Sequence, residues 1–221
     1  MTPPHNLVLF HGPEWRARDL EELAGSLADS GAPVPGVLGV AHESLAFARA
    51  WSGLVQAAAS LRMRMGLHAL DGPPGTVSVP GAMRRVREDD LQWFLGWHEA
   101  FYMDCFGELP PHALEEGALA VFRSGGVRVW EDGGRPCSMA AVSRSTDICA
   151  TVGLVYTPPA LRGRGYATSC VAELSRSLLE EGFRWCCLFT DLANPVSNSV
   201  YLRIGYRRIE DFAEYRFQGT G

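Results

Sequence analysis

The 221-residue sequence predicts an α/β (α+β) fold, a central sheet flanked by helices with a smaller N-terminal α/β half-domain. Three observations carry that expectation. A turn-rich stretch, Asp71-Gly-Pro-Pro-Gly-Thr-Val-Ser-Val-Pro-Gly81, separates two patterned regions and reads as a linker. Beyond it, helical periods and short strand-like runs follow in the order β-α-α-β-β-β-α-β-α-β. Before it, the first 70 residues repeat the second half of that order. The predicted organisation is therefore a half-domain over 1–70, a linker over 71–81 and a complete domain over 82–221.

In the N-terminal region, 7–10 reads as a strand, 14–29 as a helix and Gly31 as its stop; 34–40 is a strand, 43–54 a helix and 61–70 a strand. The matching segments downstream are 154–156, 165–181, Gly182, 185–190, 197–204 and 207–217. Lengths and punctuation correspond while residue identities barely do. Two readings stay open: a degenerate half-copy of the complete domain, or an unrelated α/β extension. A start at Met1 inside an apparent half-domain also suggests a shortened product.

The linker is followed by a strand over 83–87. Glu88, Asp89 and Asp90 then place acidic groups at the positive end of a helix running to Phe106. Its apolar stripe is Leu91, Leu95, His98, Tyr102 and Cys105, and His98 reads as a packed core histidine. A second helix is expected over 111–122. Strands at 126–130, 138–143 and 148–156 follow, and Glu131-Asp-Gly-Gly134 between the first two is a strong hairpin signal. A helix over 165–181 stops at Gly182. The run 185–190 is fully apolar, as expected of a strand covered on both faces.

The formal net charge of −5, without a basic stripe, argues against a nucleic-acid partner. The start Met1-Thr-Pro-Pro-His lacks the basic and apolar regions of a secretory leader, and no apolar run approaches the ~18 residues that span a bilayer. A cytoplasmic protein without membrane contact is the expectation. The six cysteines, Cys105, Cys137, Cys149, Cys170, Cys186 and Cys187, show no metal-ligand spacing, so reduced thiols and no metal are expected.

The most informative segment is Val155-Tyr-Thr-Pro-Pro-Ala-Leu-Arg162-Gly-Arg-Gly165-Tyr-Ala167. A strand ends, a Pro-Pro turn follows, and Arg162-Gly163-Arg164-Gly165-Tyr166-Ala167 opens a helix. Small residues let successive backbone N–H groups converge at a helix N-terminus, a concavity of positive potential that accepts a pyrophosphate. Arg162 and Arg164 add charge-assisted bonds to phosphate oxygens. A surface turn with two arginines is the plain alternative. A dinucleotide fingerprint fits poorly, because Thr157 to Leu161 intervene after the strand and the third glycine position falls on Thr168. A P-loop fails for want of Gly-Lys-Ser/Thr.

Here the chain resembles the GCN5-related N-acetyltransferase (GNAT) family, whose pyrophosphate motif is Arg/Gln-x-x-Gly-x-Gly/Ala; Arg162, Gly165 and Ala167 fill its positions. A second resemblance follows in Asn194-Pro-Val-Ser197-Asn198-Ser-Val-Tyr201-Leu-Arg-Ile-Gly205-Tyr206, where Ser197 is the expected N-cap. The resemblance covers about 81–217. It implies a mixed, splayed sheet that admits the cosubstrate acetyl-CoA, with main-chain groups of Leu154, Val155, Tyr156 and Thr157 pairing with the pantetheine arm. It implies that Gly163, Arg164 and Tyr166 also border the cosubstrate, that Asn194 and Asn198 lie by the pantetheine, and that Tyr201 protonates the departing thiolate.

The implied reaction is direct attack of an amine on the acetyl carbonyl in a ternary complex, with polarisation by a backbone N–H near Val155. Neither the amine acceptor nor a base is identified; Glu99, Asp104, Asp147 and Glu214 are the carboxylates considered. Trp93, Trp97, Phe101 and Tyr102 are candidate walls of an acceptor groove, with core packing as the competing role. The alternative function is a non-catalytic acyl-CoA-binding or sensing module, since His11-Gly-Pro-Glu14 replaces any Arg-Gly-x-Gly in the N-terminal region. The oligomeric state expected is monomer or homodimer.

Overall fold

The computed structural model describes residues 6–10, 16–75, 78–109 and 114–218 of the chain. These group into two units. The first takes residues 1–67, 190–195 and 208–221, and the second takes 68–189 and 196–207.

The first unit contains β1 (Leu7–Val8), α1 (Ala17–Asp29), β2 (Gly36–Val40), α2 (Ala41–Val55), most of β3 (Ala58–Leu70), and nearly all of β9 (Arg207–Gln218). β1 runs parallel to β2, and β2 pairs antiparallel with β9 from Gly36↔Arg216 to Val40↔Phe212. Leu20 and Ala24 of α1 and Phe47, Ala48 and Trp51 of α2 bury one face each against Val34, Val37 and Phe217. The ring of Trp51 lies 6.1 Å from those of Phe47 and Phe217. Helical spacing on α1 and α2 thus makes a small core that the C-terminal strand completes.

The second unit contains β4 (Ala82–Arg85), α3 (Leu91–Phe106), α4 (Leu114–Arg123), β5 (Val127–Asp132), β6 (Arg135–Ser145), β7 (Cys149–Tyr156), α5 (Tyr166–Glu180), β8 (Trp185–Asp191) and α6 (Pro195–Ile204), the last two shared at their edges with the first unit. Its strands lie in the order β8-β7-β6-β5-β4. β7 and β8 are parallel and the other neighbours antiparallel, so the sheet is mixed, as expected. The hairpin between β5 and β6 closes at Asp132↔Arg135, with Gly133 at φ 54° and Gly134 at φ 77°. Two successive positive φ values define the turn that Gly-Gly was expected to make.

Alternation along β6 decides which helix covers which face. Ala140 joins Val152 of β7 and Cys170, Val171, Leu174 and Leu178 of α5 in one core. Its neighbours Met139 and Ala141 join Phe94 of α3 and Ala118 of α4 in another. α5 and the α3/α4 pair therefore flank opposite faces of an open mixed sheet.

Several element bounds differ from the sequence expectation. The first turn of the 88–106 helix is 3₁₀, over Glu88–Asp90, where the Asp90 carboxylate accepts the Arg87 N–H at 2.7 Å. The strand expected over 83–87 is Ala82–Arg85. The last helix begins at Pro195, not after Ser197, so Ser197 lies inside it; a proline fits the first helical position because the N–H it lacks would have no helical partner. The starts expected at 14 and 111 lie outside the described residues.

Candidate functional site

β7 begins as an ordinary inner strand. It pairs with β8 at Cys149↔Trp185, Ala150↔Cys186 and Thr151↔Cys187, and the pairing stops there although β7 runs on to Tyr156 and β8 to Asp191. The two strands splay beyond Thr151. On its other edge β7 pairs with β6 at Ala141↔Gly153 and then at Met139↔Tyr156, with a register shift between. Two residues, Leu154 and Val155, therefore oppose Ala140 alone. Such a bulge leaves a backbone group without a ladder partner and turns the strand.

Leu154 has φ 51°, one of two non-glycine residues with positive φ among the described residues. A γ-branched side chain in that region is strained by roughly 1–2 kcal/mol, and strain of this kind persists only where surrounding structure imposes it. The imposing contacts lie just past the bulge. Ser138 Oγ donates to the Tyr156 carbonyl at 3.1 Å, and Thr157 Oγ1 donates to Ser138 Oγ at 2.9 Å. Ser138 is fully buried, so the pair fixes the end of β7 from inside the sheet.

The chain then makes the Pro-Pro turn, a single 3₁₀ turn over Pro159–Leu161, and the glycine loop. Gly163 and Gly165 take φ 76° and 86°, and Gly165 is the N-cap of α5. Both conformations are left-handed, which is why glycine stands at both places. The Ser169 N–H bonds to the Gly165 carbonyl at 3.0 Å, so the preceding N–H groups, those of Tyr166, Ala167 and Thr168, have no partner within the helix and face its N-terminal end. Arg162 donates from Nε to the Thr157 carbonyl at 2.9 Å, reaches the Asp104 carboxylate of α3, and has its guanidinium 5.8 Å from the Tyr156 ring. Arg164 donates to the Ala160 carbonyl at 3.3 Å. Tyr166 donates to Asp132 at 2.7 Å, a bond that raises its own pKa, so this residue offers the loop its N–H and not its hydroxyl.

Tyr201 lies on α6, 8% exposed, with its ring 6.1 Å from that of Tyr206 in an edge-on arrangement. Burial pushes its pKa up, which holds the hydroxyl protonated at neutral pH. Tyr206 is anchored in turn, its hydroxyl 2.8 Å from Ser175 Oγ on α5. Asn198 lies in the first turns of α6. Asn194 sits in the turn before α6, where its N–H bonds to the Asp191 carbonyl at 3.0 Å, within the first unit's share of the chain.

The second unit thus brings together Leu154, Val155, Tyr156 and Thr157 with Arg162, Gly163, Arg164, Gly165, Tyr166 and Ala167 as one continuous strand, turn and helix start. Of the aromatic candidates, Trp93, Trp97 and Phe101 pack against the α3/α4 core, with Trp97 5.8 Å from Tyr156. Glu214 accepts a bond from Asn6 Nδ2 at 2.9 Å within the first unit, and Asp104 holds Arg162. The bulge, the Ser138–Thr157 pair and the Asp104–Arg162 pair were not legible in the sequence. A register shift depends on the partner strand, and an ion pair between residues this far apart depends on the packing of α3. Among the described residues, no group of three His, Cys, Asp or Glu is arranged to hold a metal, and no helix is long and apolar enough to cross a membrane.

A family model described as "FR47-like protein" matches residues 132–217, the stretch that contains the bulged strand, the glycine loop and α6. No curated protein matches the chain by sequence. Among solved structures, a GNAT-family acetyltransferase from Colwellia psychrerythraea superposes with a TM-score of 0.64 at 14% identity, over 95% of this chain and 76% of its own. A GCN5-related N-acetyltransferase from Sphaerobacter thermophilus gives 0.63 at 18% identity, over 92% of this chain and 69% of its own. One from Kribbella flavida gives 0.61 at 17%, over 92% and 75%. A mixed sheet splayed beside a bulged strand, a left-handed glycine loop opening α5 and these superpositions agree: the chain has the GCN5-related N-acetyltransferase fold.

Proposed function

We propose that this chain is an acetyl-CoA-dependent N-acetyltransferase. The observation that carries the reading is the splay of β7 from β8 after Thr151 beside the bulge at Leu154 and Val155. A strand edge released in this way offers N–H and C=O groups to a ligand that itself resembles a peptide, which is the character of a pantetheine arm. The unbonded N–H groups of Tyr166, Ala167 and Thr168 and the positive end of α5 suit its pyrophosphate. Arg162 and Arg164 would turn from the carbonyls they now bond to phosphate oxygens. The resemblance assigns Asn194 and Asn198 to the same arm.

In this reading an amine attacks the acetyl carbonyl directly. A backbone N–H at the bulge, near Val155, polarises the carbonyl, and positioning supplies most of the rate. Tyr201 gives its proton to the departing sulfur. Its burial keeps the phenol in the protonated form, which can donate a hydrogen bond to the developing thiolate. The half-copy reading of the N-terminal region is retained in the same spirit. It is supported by the matching order β1-α1-β2-α2-β3 against β7-α5-β8-α6-β9 and by parallel pairing of the first two strands in each series.

The test follows free-thiol release from acetyl-CoA against a panel of primary amines, amino acids and peptides. Acceptor-dependent release is expected. Tyr201→Phe is expected to lower turnover by about tenfold or more with acetyl-CoA affinity unchanged. Unchanged turnover in that variant removes Tyr201 from the mechanism. Acetyl-CoA binding without acceptor-dependent release across the panel favours the non-catalytic sensing module.

A further inference from the structure

A cleft of about 230 Å³ opens between α3 and α4, lined by Leu95, His98 and Glu99 of the first helix and Glu115 and Ala118 of the second. His98 is only 5% exposed. Its ring is held between Phe94 and Tyr102, at 5.8 and 5.0 Å, one helical turn away on either side. Burial lowers its pKa, so the imidazole is neutral at physiological pH and keeps one nitrogen as an acceptor. Among the described residues neither ring nitrogen has a hydrogen-bond partner. Glu99 and Glu115 are exposed on the two helices, and among the described residues neither carboxylate is in an ion pair.

The chemistry of the lining is therefore one-sided. It presents two negative charges and an imidazole with no hydrogen-bond partner among the described residues, with Leu95 and Ala118 as apolar walls. Like-charged groups around one cleft repel, and a residue only 5% exposed has little water to bond in place of a protein partner. A bound group that carries positive charge and several N–H donors relieves both. A metal ion is the poorer fit, since these side chains do not form a metal-holding group among the described residues. An alkylammonium has three donors for three acceptors and a chain to lay along Leu95 and Ala118.

We propose that the α3/α4 cleft binds the ammonium group of a primary alkylamine, which donates to Glu99, Glu115 and the His98 imidazole. Equating that amine with the acyl acceptor rests on the acetyltransferase reading; the binding itself does not.

The experiment uses the full chain without acetyl-CoA, at neutral pH. Histidine ring resonances are followed by NMR during titration with 1,4-diaminobutane, with 1,4-butanediol as the uncharged control. His98→Gln assigns the His98 signals. The diamine is expected to shift them saturably and the diol to leave them unmoved. Glu99→Gln combined with Glu115→Gln is expected to weaken diamine binding by at least about tenfold at an unchanged thermal midpoint. His98 signals that ignore the diamine overturn the proposal. So does an equal response to the diol, or undiminished binding in the double variant, which would mark a general attraction to an acidic surface. Thiol release is then read separately. Binding without release refutes only the identification with the acceptor, whereas amine-dependent release with His98 unmoved supports acetyl transfer and overturns the cleft assignment.

Discussion

Replacing Asp90 with asparagine tests whether the start of α3 is held by charge. The carboxylate side chain is 9% exposed and accepts two bonds from Arg84, at 2.6 and 3.0 Å, one from the Arg87 N–H at 2.7 Å and one from the Trp93 indole N–H at 2.9 Å. Arg84 in turn donates from Nε to Glu131 on β5 at 2.6 Å, so the cluster ties β4 and β5 to the entry of α3. Burial by itself would raise the Asp90 pKa. The bonds from Arg84, Arg87 and Trp93 outweigh it and bring the value from 3.8 to about 2. At roughly 1.4 kcal/mol per unit, that depression is worth about 2.5 kcal/mol of stability at neutral pH. Asparagine keeps the shape but turns an amide donor toward one of these donors and removes the charge facing Arg84. A loss of about 2–3 kcal/mol is expected, at the lower edge of what breaking a buried pair costs.

Urea unfolding of both proteins across pH measures it. A carboxyl whose folded pKa lies below its unfolded one stabilises above the unfolded value and loses that contribution as pH falls through the folded value. The gap between the proteins should therefore be full above about pH 5, narrow below about pH 4 and largely vanish near pH 2. A gap under about 0.5 kcal/mol at neutral pH, the size of an exposed ion pair, refutes the reasoning. A gap that does not change with pH refutes the charge argument while leaving a packing one.

Three further outcomes are expected at the site and in the core beneath it. Gly165→Ala forces a side chain onto φ 86°; it should cost about 1–2 kcal/mol in unfolding experiments and weaken acetyl-CoA binding measured by calorimetry, and wild-type behaviour in both would contradict the left-handed cap. Asp104→Asn frees Arg162 from a half-exposed ion pair, so stability should move by less than about 0.5 kcal/mol while acetyl-CoA binds about two- to threefold tighter; weaker binding would mean that the pair positions the arginine instead of competing for it. With a disulfide thiol reagent, exposed Cys105 should react in the folded protein, whereas Cys170 and Cys186, buried with their pKa pushed up to about 12, should react only on unfolding. Native-state labelling of Cys170 at the Cys105 rate would refute the packing of α5.

Much of the second unit was readable because its signals are local. Gly133-Gly134 between two apolar runs can close a two-residue hairpin with positive φ at both places, and it does. Gly163 and Gly165 marked a left-handed entry into α5 for the same reason. His98 reads as a core residue from its place on the apolar stripe of α3, and it is buried. That it also floors a cleft could not be read, because the cleft exists only where α4 lies beside α3. The residues at the start of α6 misled by two positions. Ser197 is a good cap by type, but a proline two residues earlier is already compatible with helix and takes the first position.

By itself the sequence determined the element order, the glycine loop and the acidic start of α3, since each depends on steric limits or dipoles within a few residues of chain. The tertiary structure alone decided the bulge. Leu154 takes φ 51° because β6 supplies one residue, Ala140, where β7 supplies two, and because Ser138 and Thr157 pin the end of β7 just beyond it. Nothing in leucine favours that conformation. The partner strand imposes it, and with the splay from β8 it gives the sheet the free edge on which the proposed chemistry depends.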